Sequence, residues 1–208
     1  MGKLFGKQDT FRLAGECSHR TETELAALDR AGADAAFRAG QRGLYEEVLR
    51  PAGFLRWKGG AFVRRSPEDW LEVIELQKER HGSKTFTVNC MAVLLFLPGA
   101  EPDMTFAERL GVLAAGRDVW WDFAPAAAEG SFRNVGEAIR RFALPWFEGL
   151  RGDGLRRALL PEHGRLWAER WLAALDARGR DIPAERETVR ENCRRLKLPK
   201  GLLREDEK

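Results

Sequence analysis

Between residues 54 and 97, four short runs rich in apolar and aromatic residues follow one another, and the last has the period of two that is typical of β-strands. Residues 54–57, 62–65, 70–78 and 85–97 each predict one strand, and short runs rich in glycine, serine or proline separate them. Because the connections are short, we expect neighbouring strands to pair in antiparallel order.

The first two runs predict a hairpin. The two glycines of the connecting "KGGA" suit the positive φ angles of a two-residue type I′ turn. In that register Trp57 faces Phe62 as an aromatic cross-strand pair, and Leu55 faces Arg64.

The fourth run predicts a strand whose two faces differ. Its first face is apolar throughout and must lie in the core: Phe86, Val88, Cys90, Ala92, Leu94 and Phe96. Its second face begins polar and then turns apolar: Thr85, Thr87 and Asn89, followed by Met91, Val93 and Leu95. We therefore expect one face of the sheet to be half open to solvent and half covered.

The remaining pattern is mostly helical. A helix should end before Pro51, because proline disfavours helix at the preceding residue. A second helix should begin with a capping box of Thr105 and Glu108 and end at Gly116. Ser131 predicts the start of a third helix.

Between the last two helices, "DVWWDFA" (residues 118–124) alternates again and predicts a fifth strand. Trp120 and Trp121 then point to opposite sides, so one belongs to the core and the other is either exposed or covered by a helix.

These elements predict three parts of the chain. Residues 1–32 carry scattered charge without a clean period and predict a loosely ordered arm. Residues 33–150 predict an α+β core domain with a mostly antiparallel sheet of about five strands flanked by helices. Residues 151–208 predict a C-terminal helical extension that packs on the core through Trp167 and Trp171.

Composition excludes several classes of protein. With 44% hydrophobic and 32% charged residues among 208, the chain is not a disordered one. Cys17, Cys90 and Cys193 form no CxxC pair, so neither a disulfide framework nor a zinc site is indicated. No signal-peptide core and no apolar run of membrane-spanning length occurs in the sequence, so we expect a cytoplasmic protein without a membrane partner.

Several short motifs follow one another in a distinctive order: "LRPAGF", "GGAFVRR", "WLEVIELQK", "FTVN", "DVWWDF" and "LPWFEGL". In this order the chain resembles, over roughly residues 35–150, the bacterial family catalogued as domain of unknown function 4304. The resemblance implies an α+β domain with an antiparallel sheet. It implies no activity and no catalytic residues, since none is established for the family.

Polar side chains on the predicted strands give one candidate site. Glu75 and Gln77 share a face of the third strand, and Thr87 and Asn89 share a face of the fourth. If these faces coincide, and Arg64 of the neighbouring strand joins them, the five residues form a patch for a protein partner or a small polar ligand. The alternative is the ordinary solvated face of an antiparallel sheet.

No pattern typical of catalysis or of cofactor binding is present. The three histidines have neither HxH nor HExxH spacing. The N-terminal "GKLFGKQ" is one residue short of a P-loop and has Gln8 where serine or threonine would bind magnesium. We therefore expect no catalytic residue, no metal and no cofactor.

The C-terminal segment carries the positive charge of the chain. Residues 151–208 contain 15 basic and 11 acidic residues, whereas the whole chain has a net charge of +3. Arg190, Arg194, Arg195 and Lys197 form a basic cluster that could contact nucleic acid, although a solvated helix face is the simpler interpretation.

These observations favour a non-catalytic bacterial protein that binds a protein partner through the sheet and its rim; an immunity-like or regulatory role is one version. The first alternative is a small-ligand-binding protein or enzyme that uses the polar patch. The second is a nucleic-acid-associated protein that uses the basic cluster.

Overall fold

The structure, a computed structural model, describes residues 22–101, 106–162 and 164–205, with side chains described from residue 29 onward. The helices are α1 (Glu22–Leu44), α2 (Leu110–Ala115), α3 (Ala128–Ala138), α4 (Leu144–Gly149), α5 (Gly154–Leu159), α6 (Leu166–Ala177) and α7 (Ile182–Leu196). The strands are β1 (Leu55–Arg56), β2 (Ala61–Arg65), β3 (Trp70–Lys78), β4 (Thr85–Leu94), β5 (Phe106–Arg109) and β6 (Trp121–Asp122). Single π-helical turns, Tyr45–Leu49 and Ile139–Ala143, follow α1 and α3.

Within the described residues, six strands form one sheet in which every pair is antiparallel. Strands β1 to β5 lie side by side in chain order, and β6 pairs with β4 beyond the end of β5. The predicted α+β class with a mostly antiparallel sheet is confirmed, with one more strand than expected. Strand β3 covers the predicted residues 70–78.

The register of the first hairpin differs from the prediction. Leu55 pairs with Val63 and Arg56 with Phe62, and the N–H of Trp57 donates to the carbonyl of Ala61 over 2.9 Å. The connection therefore contains three residues, 58–60, and the predicted two-residue turn was wrong. Positive φ is needed only at Gly59, where it is +55°. The additional residue in the connection shifts every cross-strand pair by one residue relative to the prediction.

Helix α1 corrects the predicted N-terminal arm. Residues 22–32, which were expected to be loosely ordered, belong to this helix, while residues 1–21 lie outside the described part of the chain. Ala33 and Phe37 of α1 are buried against the sheet. This packing stabilises a helix whose first turns lack a strong apolar period of their own.

Two helix starts were also predicted wrongly. Residues 106–109 form β5 rather than the first turn of a helix, because β4 offers them a complete row of backbone partners. The helix that follows begins at Leu110 and ends, as predicted, at Gly116, whose φ is +67°; Thr105 of the predicted capping box lies outside the described residues. Helix α3 begins at Ala128, so Ser131 lies inside it.

The sheet has a face covered by helices along its length, which we call the helix-covered face. Helices α1, α3 and α4 pack on it. The core there contains, among others, Phe37, Phe62, Ile74, Leu76, Phe86, Val88, Cys90, Phe132, Val135 and Phe147. The rings of Phe37, Phe86, Phe123 and Phe132 contact one another edge-on, tilted or stacked, at centroid distances of 4.8–6.4 Å.

The opposite face, which we call the half-open face, divides as the polar–apolar change along β4 predicted. Helices α5, α6 and α7 cover its apolar half. That second core contains, among others, Val63, Val73, Met91, Val93, Leu155, Trp171, Leu172, Val189 and Leu196. Asn192 of α7 is buried and donates to the carbonyls of Leu95 and Leu97 over 2.7 and 2.9 Å. Among the described residues, no helix is both long and apolar enough to cross a membrane.

Candidate interaction surface

The polar half of the half-open face places three of the predicted residues together. Glu75 pairs with Asn89 across β3 and β4, Gln77 pairs with Thr87, and Asn89 pairs in turn with Arg109 of β5. Directly paired residues project from the same face of a sheet. Of these five residues, all but Thr87 are partly exposed. Together with the neighbouring Trp120, these four residues form a surface that we call the open half-sheet: Glu75, Gln77, Asn89, Arg109 and Trp120.

Asn89 holds two of its neighbours in place. Its Nδ2 donates to Oε2 of Glu75 and to Oε1 of Gln77, each over 3.0 Å. Both N–H groups of the amide are used in this way, so the amide oxygen of Asn89 is left as an acceptor. The three side chains form one ordered group in the middle of the sheet.

An aromatic–cation pair borders this group. The guanidinium of Arg109 lies over the ring of Trp120, 5.4 Å from its centroid, and forms an ion pair with Asp118. The indole Nε1 of Trp120 also donates to Asp118 over 3.0 Å. Trp120 is 38% exposed, whereas Trp121 is buried against Phe86 on the other face, as the alternation predicted.

Two residues of the predicted patch do not contribute to this surface. Thr87 has the expected face, but its side chain is buried and donates to the carbonyl of Val119 over 3.0 Å. Arg64 pairs with Glu72 across β2 and β3, two strand positions that project from the helix-covered face. The expectation that Arg64 lies beside Asn89 was wrong, because the register of β2 on β3 directs Arg64 to the opposite face of the sheet.

Arg64 instead belongs to a group of four charged residues that we call the ion cluster: Arg64, Glu72, Glu148 and Arg151. Glu72 has no exposed surface; its carboxylate forms an ion pair with Arg64 and contacts Arg151 Nη2 at 3.4 Å. Arg64 also contacts Glu148 at 3.4 Å, and Arg151 forms an ion pair with Glu148. A buried carboxylate requires compensation of this kind, so the cluster fixes the packing of β2, β3 and α4.

Several of the sequence motifs meet at the ion cluster. Arg64 comes from "GGAFVRR", Glu72 from "WLEVIELQK" and Glu148 from "LPWFEGL". Arg64 Nη1 donates over 2.9 Å to the carbonyl of Ala52 in "LRPAGF". The signal that could have revealed the cluster is a glutamate at a core position of β3, in alternation with Trp70 and Ile74.

The polar end of β3 leads into a tight connection. The Glu79 carboxylate accepts from the backbone N–H groups of His81 and Ser83, over 2.7 and 3.2 Å. The hydrogen bond from His81 is the main reason that the pKa of Glu79 lies below its ordinary value. On the helix-covered face, burial raises the pKa of the Cys90 thiol to about 12, with a smaller contribution from Glu108.

The basic cluster at the C-terminus is largely paired with acids. Arg190 and Arg194 both form ion pairs with Glu187, at 2.5 and 3.0 Å. Arg195 forms an ion pair with Glu101 at 2.6 Å. Lys197, which ends α7 with a φ of +52°, is exposed. This pairing leaves less free positive charge for phosphate groups than the sequence alone suggested.

A groove of about 560 Å³ lies between α1 and α3, beyond the helix-covered face. Small residues form much of its walls, including Ala36, Gly40 and Gly136, and none of the predicted patch residues lines it. In the described ranges, no group of three or more histidine, cysteine, aspartate or glutamate side chains is arranged to hold a metal ion.

Comparison with known proteins identifies the family. A family model described as a domain of unknown function (DUF4304) matches residues 45–149, which agrees with the resemblance of the motifs over residues 35–150. Searches of curated proteins and of solved structures gave no significant match. The matched segment contains β1 to β6, α2 to α4, and three of the four residues of the ion cluster. The chain therefore belongs to the domain of unknown function 4304 family.

Proposed function

We propose that this chain is a non-catalytic binding protein and that the open half-sheet is the surface on which it binds a protein partner. The observation that carries the proposal is the division of the half-open face. One half is sealed by α5, α6 and α7, whereas the other half stays partly exposed and has the guanidinium of Arg109 over the ring of Trp120 at its border. Tryptophan and arginine are the residue types that most often dominate protein interfaces.

The other properties of the surface fit a protein better than a small molecule. The open half-sheet belongs to a pleated face rather than to the groove between α1 and α3, and a broad, ordered polar surface suits another folded surface. The proposal places the protein in the reducing cytoplasm of a bacterium, which the buried free thiol of Cys90 supports. An immunity-like or regulatory role is one form of it.

The test is a comparison of captured proteins between variants. Tagged wild-type protein, Trp120→Ala and Leu166→Ala are incubated with nuclease-treated lysate of the native host, washed at low and high salt, and analysed by quantitative mass spectrometry. Leu166 is the matched control, because its apolar side chain is 87% exposed on α6, away from the open half-sheet.

We expect one stoichiometric protein to survive the high-salt wash with the wild type and with Leu166→Ala, and to be lost with Trp120→Ala. Equal capture by all three proteins would contradict the assignment of the surface. In a parallel sample of lysate without nuclease treatment, nucleic acid that is captured and then released by salt would favour the basic cluster of α7 instead.

A further inference from the structure

The open half-sheet presents a carboxylate that has an ordered position but, among the described residues, no cationic partner. Glu75 is partly buried, and it accepts a hydrogen bond from Asn89. Within the described chain, no lysine or arginine forms an ion pair with it, although acids nearby on the same face, such as Asp118, do have such partners. The second oxygen of Glu75 and the amide oxygen of Asn89 remain as two acceptors on adjacent strands, which lie about 4.8 Å apart.

These two acceptors determine which charge a partner must bring. A surface that covers Glu75 removes water from a carboxylate, and this costs free energy unless a cation takes the place of the water. A phosphate or an acidic peptide would meet Glu75 with like charge. The complementary group is therefore a cation, which the residues described by the structure do not supply.

Arginine fits this arrangement better than lysine. A guanidinium is planar and carries five N–H donors in a fixed fork, so one side chain can donate to two acceptors on neighbouring strands. The ring of Trp120, beyond Arg109 in the same row, offers apolar surface for the methylene groups of such a side chain. We infer that the partner anchors itself by an arginine side chain that donates to Glu75 and Asn89; this inference rests on the proposed function of the open half-sheet.

The test uses short peptides as probes. N-acetyl-Gly-Arg-Gly-amide and N-acetyl-Gly-Lys-Gly-amide are titrated to millimolar concentration into ¹⁵N-labelled protein. The side-chain amide signals of Asn89 and Gln77 and the indole signal of Trp120 report directly on the surface. We expect the arginine peptide to shift these signals and the lysine peptide to bind more weakly.

The variant Glu75→Gln keeps the shape of the side chain and removes its charge. It should weaken the arginine peptide about tenfold, the loss typical of a charge-assisted hydrogen bond. The control is Glu47→Gln, which removes an exposed carboxylate at the groove between α1 and α3 and should leave the affinity unchanged. Preserved dispersion of the backbone amide signals shows that each variant is folded.

The outcomes separate the two proposals. If the arginine peptide leaves the Asn89 and Trp120 signals unmoved, or binds Glu75→Gln as well as the wild type, the arginine anchor is overturned. Should Trp120→Ala abolish capture of the partner from lysate while Glu75→Gln does not, the proposed function stands without the anchor. Should neither variant affect capture, both fail.

Discussion

Removing Arg64 should destabilise the protein far more than removing a surface arginine. In Arg64→Ala the fully buried Glu72 keeps only the 3.4 Å contact with Arg151, and the carbonyl of Ala52 loses a donor. Breaking a buried ion pair by deleting one partner costs about 3–5 kcal/mol, because an uncompensated charge stays in the interior. For a chain of this size that corresponds to a fall in Tm of about 6–20 °C.

Urea unfolding followed by circular dichroism measures this loss. Arg50→Ala is the matched control: Arg50 forms an exposed ion pair with Glu46 at 2.7 Å, and such pairs contribute at most about 1 kcal/mol. Glu72→Gln should cost less than Arg64→Ala, since Arg64 retains Glu148 and Ala52 as acceptors. A loss below about 1 kcal/mol for Arg64→Ala would refute the view that the ion cluster compensates a buried charge.

Three further predictions concern the packing of the two faces of the sheet. Gly40→Ala should destabilise the protein by about 1–3 kcal/mol in urea unfolding, because the new methyl group would lie 2.1 Å from the buried ring of Phe132, whereas Gly130→Ala, with open space around it, should gain up to about 1 kcal/mol. Asn192→Ala should leave the carbonyl of Leu95 without the donor it now has, whereas the carbonyl of Leu97 keeps the N–H of Ala100. The loss should be about 1–3 kcal/mol, and hydrogen exchange should accelerate in α7; unchanged exchange would contradict this role. Because burial raises the pKa of Cys90 to about 12, this thiol should remain neutral and resist iodoacetamide up to pH 9 until the chain unfolds. Alkylation of Cys90 itself in the native protein, located by peptide mass spectrometry, would contradict that.

The strands were predictable where strand-forming residues follow one another without a turn signal. Residues 70–78 are rich in apolar side chains and contain no glycine or proline, and β3 has those bounds. The change from polar to apolar along the second face of β4 also predicted correctly which half of the sheet is covered, since burial acts on each side chain separately. By contrast, β5 was missed because its residues 106–109 carry helix-compatible spacing, and only the backbone partners on β4 make them a strand.

Which residues belong to the candidate site depended on the pairing register of the strands, and the pattern of apolar and polar residues does not determine that register. In the connection between β2 and β3, the N–H of Ser66 donates to the carbonyl of Trp70, and Asp69 just before Trp70 has a φ of +62°. Aspartate tolerates this left-handed conformation better than most residues, so its position before Trp70 was a usable signal. That loop places Arg64 opposite Glu72 and thereby moves it from the predicted patch to the ion cluster. Arg109 was missed for the same reason as β5.

The segment that defines the family is shorter than the unit that folds. Residues 45–149 match the family, but Ala33 and Phe37 before them fill the helix-covered core, and Trp171, Leu172 and Val189 after them seal the apolar half of the sheet. A fragment trimmed to the family boundaries would therefore expose Val63, Val73 and Val93 as an apolar patch on the sheet. Exposed apolar patches of this kind promote aggregation. Expression experiments on this chain should therefore keep α1 and α5 to α7 together with residues 45–149.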